Sequence, residues 1–391
     1  MLPAGRIVFV LWLVSGALAC GDSDAPHGSA SGSNTTADSG VDPDAGAAHV
    51  PPADLHELLD LGIAEFLGAA KPTGSETLHG VANIAEGSVV YDFDPKDGPV
   101  CMRGAHYQVS VLDQGSKNLV IFMQGGGACV SVLCSATTEA TPRGVPTNGV
   151  LDIHDNDNPV ADWNIVYVPY CDGSVFGGNN DFVDTAKPDE VRLHHGQRNF
   201  AAALDLALEH FPHAEKVLLA GSSAGGWGTV YHRALVRTQY PDAQLTVMND
   251  SGIGFMVNSQ LVVDEWGLGG RYRPPSCEAC QTPLHMSEFV QYELGHDPGL
   301  VVGDFSSWED SVIMRFTLNS DPAAFHALLR EQTDIPAGAF PERYKRFIIT
   351  GSQHTSLQRG FHETQINGVS IAQWLGSMIA RDPAWVELLQ E

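Results

Sequence analysis

The stretch Val217-Leu-Leu-Ala-Gly-Ser-Ser-Ala-Gly-Gly226 constrains this chain more than any other. Its short apolar run reads as a buried strand, and a helical pattern runs from Ala224 to about Thr238. Between them lies G-x-S-x-G, here Gly221-Ser222-Ser223-Ala224-Gly225. A strand that passes into a helix through so few residues needs a sharp turn. Gly221 and Gly225 lack a Cβ, so the two elements can close around a strained Ser223. Such a turn displays the serine hydroxyl at the end of a sheet. The stretch therefore points to an α/β architecture and to a serine hydrolase.

The rest of the chain repeats that rhythm. Leu119 to Met123 is an apolar run followed by Gly125-Gly126-Gly127, and Asn164 to Val168 is followed by Pro169-Tyr170-Cys171-Asp172. Leu245 to Met248 leads into Asn249-Asp250-Ser251-Gly252. Arg346 to Thr350 reads as the final strand and leads into Gly351-Ser-Gln-His354. Helical periodicity spans Val191 to His210 through Phe200, Leu204, Leu206 and Leu208. An earlier helix is expected over Asp54 to Gly68, with Asp54 and Glu57 forming a capping box. Weak alternation from about 75 to 113 predicts antiparallel strands, such as Tyr107 to Leu112. Strands alternating with helices predict a mainly parallel sheet with helices on both faces, an α/β-hydrolase-like fold with its loops gathered at the carboxyl edge. One catalytic domain is expected over 54–391, with 256–300 as a lid-like insertion because that segment shows no clear repeat.

Charge and cysteine usage narrow the setting. The 391 residues carry a net charge of −26, with 21 Lys and Arg against 47 Asp and Glu. Phosphate binding needs clustered cations, so nucleic acid and anionic lipid are disfavoured as main partners. A polyanionic substrate would need a locally basic site. At the N-terminus, Arg6, the apolar run Ile7 to Val14 and Ala17-Leu-Ala-Cys20 read as a signal peptide over residues 1–19. Cleavage before Cys20 would leave a lipidated cysteine and a membrane tether; the run resembles a bacterial lipoprotein box, with Ala17 in place of the usual leucine. Cleavage after Ala19 would give a soluble exported protein, and an uncleaved anchor is the third option. Residues 20–53 are rich in Gly, Ser, Ala, Asp, Thr and Pro and are expected to form a disordered linker. Six cysteines follow Cys20, an even number that suits disulfides in an exported chain. Cys277 and Cys280 form C-x-x-C without a second pair at zinc spacing, so a local disulfide is expected there rather than a metal site.

A serine hydroxyl needs a base to take its proton, and the base needs an orienting acid. In this architecture the acid and then the histidine follow the serine. His354, just past a strand end, is the favoured base and His362 its rival. His232 lies within the helix after the elbow, and His194 and His195 precede the serine. Asp250 and Asp310 compete as the acid. The first follows a strand directly. The second stands at the start of an amphipathic stretch and could equally be a helix cap. The loop Gln124-Gly-Gly-Gly127 would supply one backbone N–H of an oxyanion hole, and the N–H of Ala224 the second. No metal or cofactor is required.

Taken together, Phe-Met-Gln-Gly-Gly-Gly-Ala-Cys129, Val-Pro-Tyr-Cys-Asp-Gly-Ser174, Ala-Gly-Ser-Ser-Ala-Gly-Gly226 and Asn-Asp-Ser-Gly252 resemble the pectin acetylesterase family, which includes the Notum carboxylesterases. The resemblance runs from about Cys101 to His354. It implies Ser223 as nucleophile, Asp310 as acid and His354 as base, with Asp250 shaping the site from outside the triad and Gly126, Gly127 and Ala224 forming the oxyanion hole. Two departures stand out: Gly127 where members often have tryptophan, and Ser222 where many have cysteine. The implied activity is an exported esterase that removes O-acetyl groups from a polysaccharide such as pectin. An esterase for a lipid or other short-chain acyl ester, as in Notum, is the alternative. A surface lipoprotein that binds glycans without catalysis is a reading from a different class.

Overall fold

The computed structural model describes residues 53–184, 189–253, 259–281, 286–317 and 321–391. The expected signal peptide, Cys20 and nearly all of the linker lie outside these residues. The chain enters through a short helix α1 (His56–Asp60) and strands β1 (Gly74–Thr77), β2 (Val89–Phe93), β3 (Tyr107–Leu112) and β4 (Asn118–Met123). A hairpin of β5 (Gly127–Val130) and β6 (Leu133–Ala136) precedes β7 (Asn164–Val168), and a second hairpin, β8 (Asn180–Val183) with β9 (Val191–His194), precedes α2 (Gly196–His210). Then come β10 (Lys216–Ser222), α3 (Ala224–Gln239), β11 (Gln244–Asp250), α4 (Ser259–Trp266), α5 (Ser287–His296) and β12 (Val301–Ser307). The chain closes with α6 (Ser311–Phe316), α7 (Pro322–Ala339), β13 (Tyr344–Ile349), β14 (Gln365–Ile366), β15 (Val369–Ser370), α8 (Ile371–Ala380) and β16 (Leu388–Leu389).

The main sheet has the order β1-β2-β3-β7-β4-β10-β11-β12-β13-β16. Its first three strands and the β3–β7 pair are antiparallel, and every pairing from β7 onward is parallel. This is the α/β-hydrolase-like sheet that the strand–helix rhythm predicts. Its central strands are buried on both faces, which is why they read as unbroken apolar runs. On β10, Val217 and Leu219 enter one core while Leu218 and Ala220 enter the other. On β4, Leu119 and Ile121 oppose Val120 and Phe122 in the same way. Helices α2 and α3 cover the first face with Phe200, Leu204, Val230 and Leu235. Helix α8 covers the second with Ile371, Trp374, Leu375 and Met378.

Several local expectations are corrected. Only His56–Asp60 of the first predicted helix is an α-helix, and residues 61–68 continue as turns. The Asp54–Glu57 capping box does not form. Asp54 Oδ1 meets His56 Nδ1 at 2.5 Å, while the Glu57 carboxylate accepts from the Ser276 hydroxyl at 2.7 Å. A local partner holds Asp54 and a distant one holds Glu57, so neither serves the helix end. Residues 191–194 belong to a strand rather than to the following helix, which starts at Gly196. Strand β13 is not the last, because β16 pairs outside it. Strand β12 went unseen because its second half is polar: Asp304, Ser306 and Ser307 are all buried.

Within 256–300 the described residues include α4 and α5. Helix α5 places Phe289, Val290, Tyr292 and Leu294 in the first core. It is fastened to α3 by buried ion pairs: Arg233 Nε donates to Glu293 at 2.6 Å and Arg237 Nε to Asp297 at 2.6 Å. Burial pushes the Glu293 carboxyl up to about 7 even though Arg233 opposes the shift. Arg233→Met should therefore destabilise the protein by about 3–5 kcal/mol at pH 8, since it strands a buried carboxylate. An acid whose folded pKa is raised favours the folded state once protonated, so the variant should regain stability as the pH falls from 8 towards 5. Urea midpoints at the two pH values measure this, and equal losses at both would refute it.

Candidate active site

The site is built where β4, β10, β11, β12 and β13 end together at the carboxyl edge. Ser223 follows β10 directly and has φ 56° and ψ −116°, outside the conformations a serine ordinarily adopts. Neighbours enforce that turn. A Cβ on Gly221 would strike the backbone of Gly225, and one on Gly225 would strike the carbonyl of Met123 at the end of β4. Only glycine lets the three segments meet. The strained residue is pinned by its own backbone: its N–H donates to the Asp250 carbonyl at 2.7 Å, and its carbonyl accepts from Trp227 N–H at 3.1 Å. Ser223 remains partly exposed.

Asp310 follows β12 and is fully buried. Its Oδ1 accepts from the N–H groups of Val312 and Ile313, both at 3.0 Å, so it caps α6. The same carboxylate receives His354 Nδ1, 2.8 Å from Oδ2 and 3.0 Å from Oδ1. The helix cap and the partner of the imidazole, which looked like rival readings of this residue, are thus one carboxylate. Placing the proton on Nδ1 follows from that carboxylate and leaves Nε2 with its lone pair. His354 sits in the loop after β13, and the Ser307 hydroxyl donates to the neighbouring Gln353 carbonyl. Among the described residues no hydrogen bond joins the Ser223 hydroxyl to the imidazole.

Asp250, the other candidate acid, does not hydrogen-bond to the imidazole among the described residues. Its carboxylate faces Ser222, Ser356 and Leu357. Burial raises its pKa against the opposing pull of those donors. The other histidines are placed elsewhere. His362 Nε2 pairs with Asp155 at 2.5 Å. His232 is buried, stacks on Phe200 and has its pKa lowered by burial to about 4. His194 is likewise lowered by burial to about 4, and His195 bridges the Gly98 carbonyl and Asp181.

The glycine loop lies against the elbow. Gln124 anchors it by donating N–H to Val168 O at 3.0 Å and accepting Tyr170 N–H at its side-chain oxygen at 3.0 Å. A Cβ on Gly125 would sit 2.6 Å from Ser222 O and 3.0 Å from Ser223 Cβ. Gly125 thus makes the close approach, a role that sequence reasoning did not assign; its place at the end of β4, opposite the elbow, was the available signal. A Cβ on Gly126 would strike the Tyr170 ring. Gly127 has φ 85° with the Ser135 carbonyl behind it, so a tryptophan could not occupy this backbone conformation without strain. The Cys129–Cys134 disulfide closes the β5–β6 hairpin that begins at Gly127. Ala224 opens α3, and its N–H stands at the positive end of that helix. Two further disulfides join Cys101 to Cys171 and Cys277 to Cys280. Among the described residues no His, Cys, Asp or Glu cluster could hold a metal ion, and no helix is long and apolar enough to cross a membrane.

Comparison with known proteins adds an independent line. The Pectinacetylesterase family model matches residues 88–266. That stretch contains the glycine loop, the elbow and Asn249–Gly252; Asp310 and His354 lie beyond it. Pectin acetylesterase 4 of Arabidopsis thaliana is 32% identical over 150 residues, covering 35% of this chain and 36% of the relative. Palmitoleoyl-protein carboxylesterase notum2 of Xenopus laevis is 31% identical over 160 residues, covering 36% of this chain and 31% of the relative. The chain thus spans about a third of the length of these two relatives. The solved structure of the Wnt deacylase Notum from Drosophila matches with a TM-score of 0.56 and 17% identity, over 75% of this chain and 93% of that one. The chain is thus similar in sequence to both the pectin acetylesterases and the Notum carboxylesterases, and in fold to a Notum enzyme.

Proposed function

We propose that the protein is an exported serine carboxylesterase that removes O-acetyl groups from a polysaccharide such as pectin. Ser223 Oγ attacks the ester carbonyl carbon as His354 Nε2 takes its proton. Asp310 keeps the imidazole oriented and stabilises its cation. The N–H groups of Gly126, Gly127 and Ala224 receive the oxyanion of the tetrahedral intermediate. The C–O bond to the sugar then breaks, and His354 returns the proton to the leaving alcohol. Water, deprotonated by the same histidine, cleaves the acetyl-serine to release acetate, and the histidine returns that proton to Ser223 Oγ. The observation that carries this reading is the buried Asp310 carboxylate on His354 Nδ1, on the same sheet edge as a serine held at φ 56°.

The glycan part of the reading rests on the pectin acetylesterase relatives and on an open cleft of about 420 Å³ beside the glycine loop. That cleft is lined by Arg103, Gly126, Ser135, Thr137 and Thr138 among others, a hydroxyl-rich surface suited to sugars. Export rests on the three disulfides, which need an oxidising compartment. The leader over 1–19 and a tether through lipidated Cys20 belong to the same proposal, as does a covering role for part of 256–300. A fluorophosphonate probe should label the intact protein, with the adduct on the Ser223 peptide. Absence of an adduct would favour the non-catalytic glycan-binding lipoprotein. A panel of acyl esters should show turnover falling beyond acetyl; a preference for long chains would move the substrate to a lipid ester.

A further inference from the structure

The motif Asn249-Asp-Ser-Gly252 follows the strand next to the elbow, yet none of its side chains has a part in the proposed chemistry. Its contacts show a different employment. Asn249 closes the turn on itself, with Oδ1 accepting Gly252 N–H and Nδ2 donating to Gly252 O, both at 2.9 Å. Gly252 lies so close to Gly226 and Trp227 that a Cβ would collide with their backbone. Asp250 collects four donors. Ser222 Oγ reaches Oδ2 at 2.6 Å and Leu357 N–H reaches it at 3.0 Å; Ser356 N–H and Oγ reach Oδ1 at 2.8 and 3.2 Å. Its carbonyl holds Ser223 N–H at 2.7 Å. Ser251 Oγ accepts Thr355 N–H at 3.1 Å, and Ser251 N–H donates to Phe305 O on β12.

These contacts join three strained residues. Ser223, Ser251 and Thr355 have φ of 56°, 59° and 66°, and Thr355 is β-branched and directly follows His354. A β-branched residue with positive φ persists only where its surroundings impose it. We propose that Asp250 and Ser251 are positioning residues: a two-residue strut that fixes the loop carrying His354 against the elbow carrying Ser223. This rests on the esterase reading for the roles of those two groups. Asp250 binds the elbow side through Ser222 and Ser223 and the base side through Ser356 and Leu357. Ser251 holds Thr355 in the left-handed conformation that sets the chain direction just after the imidazole. The hydroxyl at Ser222 has a purpose here, as one of the four donors.

Three variants test the strut, with p-nitrophenyl acetate turnover, fluorophosphonate labelling rate and thermal melting as readouts. Asp250→Asn keeps the size of the side chain but sets an NH₂ donor against N–H donors. It should lower kcat by about 10²-fold, the scale expected for a displaced reacting group, with KM little changed and labelling slowed in step. Ser251→Ala should lower kcat by about 10-fold, since the backbone of Thr355 loses its restraint. Adding Thr355→Gly to Ser251→Ala should restore most of that loss, because glycine takes positive φ without strain. A purely structural role would give no such rescue. Should Asp250→Asn fail to fold, the Ser251 pair decides alone. Wild-type kcat in Asp250→Asn, or no recovery in the double variant, overturns the strut. Failure of wild-type protein to label at Ser223 would instead overturn the esterase reading.

Discussion

Ser223→Ala is expected to lower kcat for p-nitrophenyl acetate by about 10⁴–10⁶-fold, the largest effect of any single change in this protein. The oxygen removed is the atom that would become acylated, and no neighbour replaces it: Ser222 Oγ is already committed to Asp250 at 2.6 Å. Stability should hardly change. The bonds that pin residue 223 run through its backbone N–H and carbonyl, and alanine keeps both. The side chain makes no hydrogen bond among the described residues. Residual turnover above the uncatalysed rate is expected, because the donors on Gly126, Gly127 and Ala224 would still bind the oxyanion. Kinetics and a melting curve on the same preparation decide the point. A variant that melts normally and keeps more than a tenth of its activity would remove Ser223 from the mechanism.

What could be read from the chain follows from how each feature is enforced. The elbow was legible because its glycines answer to backbone collisions with Gly225 and Met123, which only one residue type avoids. The central strands were legible because both their faces are buried, so Leu119–Met123 and Val217–Ala220 need no polar residue. Strand β12 failed that criterion. Its Asp304 is buried against Tyr344 and its Ser307 serves the Gln353 carbonyl, partners 40 and 46 positions away. The helix expected over 54–68 failed for a related reason, since Glu57 is drawn to Ser276, 219 positions on. The choice between Asp250 and Asp310 was beyond spacing rules because both follow strand ends at the same edge. Only the meeting of Asp310 with His354 across 44 positions separates them, and in sequence that assignment rested on family resemblance.

Asp310→Asn should lower kcat by about 10⁴-fold while leaving the fold intact. The two duties of this carboxylate make the substitution informative. As a cap, Asp310 uses Oδ1 to accept from Val312 and Ile313, and an asparagine oxygen in that place accepts equally well. Helix α6 should therefore stay capped. As the partner of His354, the residue presents two acceptor oxygens to Nδ1. With the amide oxygen kept on the cap, the NH₂ group is the part left facing the ring. It donates to Nδ1 and drives the imidazole proton to Nε2, where it blocks acceptance of the serine proton. The developing imidazolium also loses its counter-charge. Asp310→Ala should be worse in a different way, losing the cap as well, at a further cost of about 1 kcal/mol in stability. Asp250→Asn should fall well short of the Asp310→Asn loss, because Asp250 acts on the backbone around the base and not on the ring. Equal losses at the two positions would mean that the imidazole answers to both carboxylates. A larger loss at Asp250 would reverse the assignment of the acid.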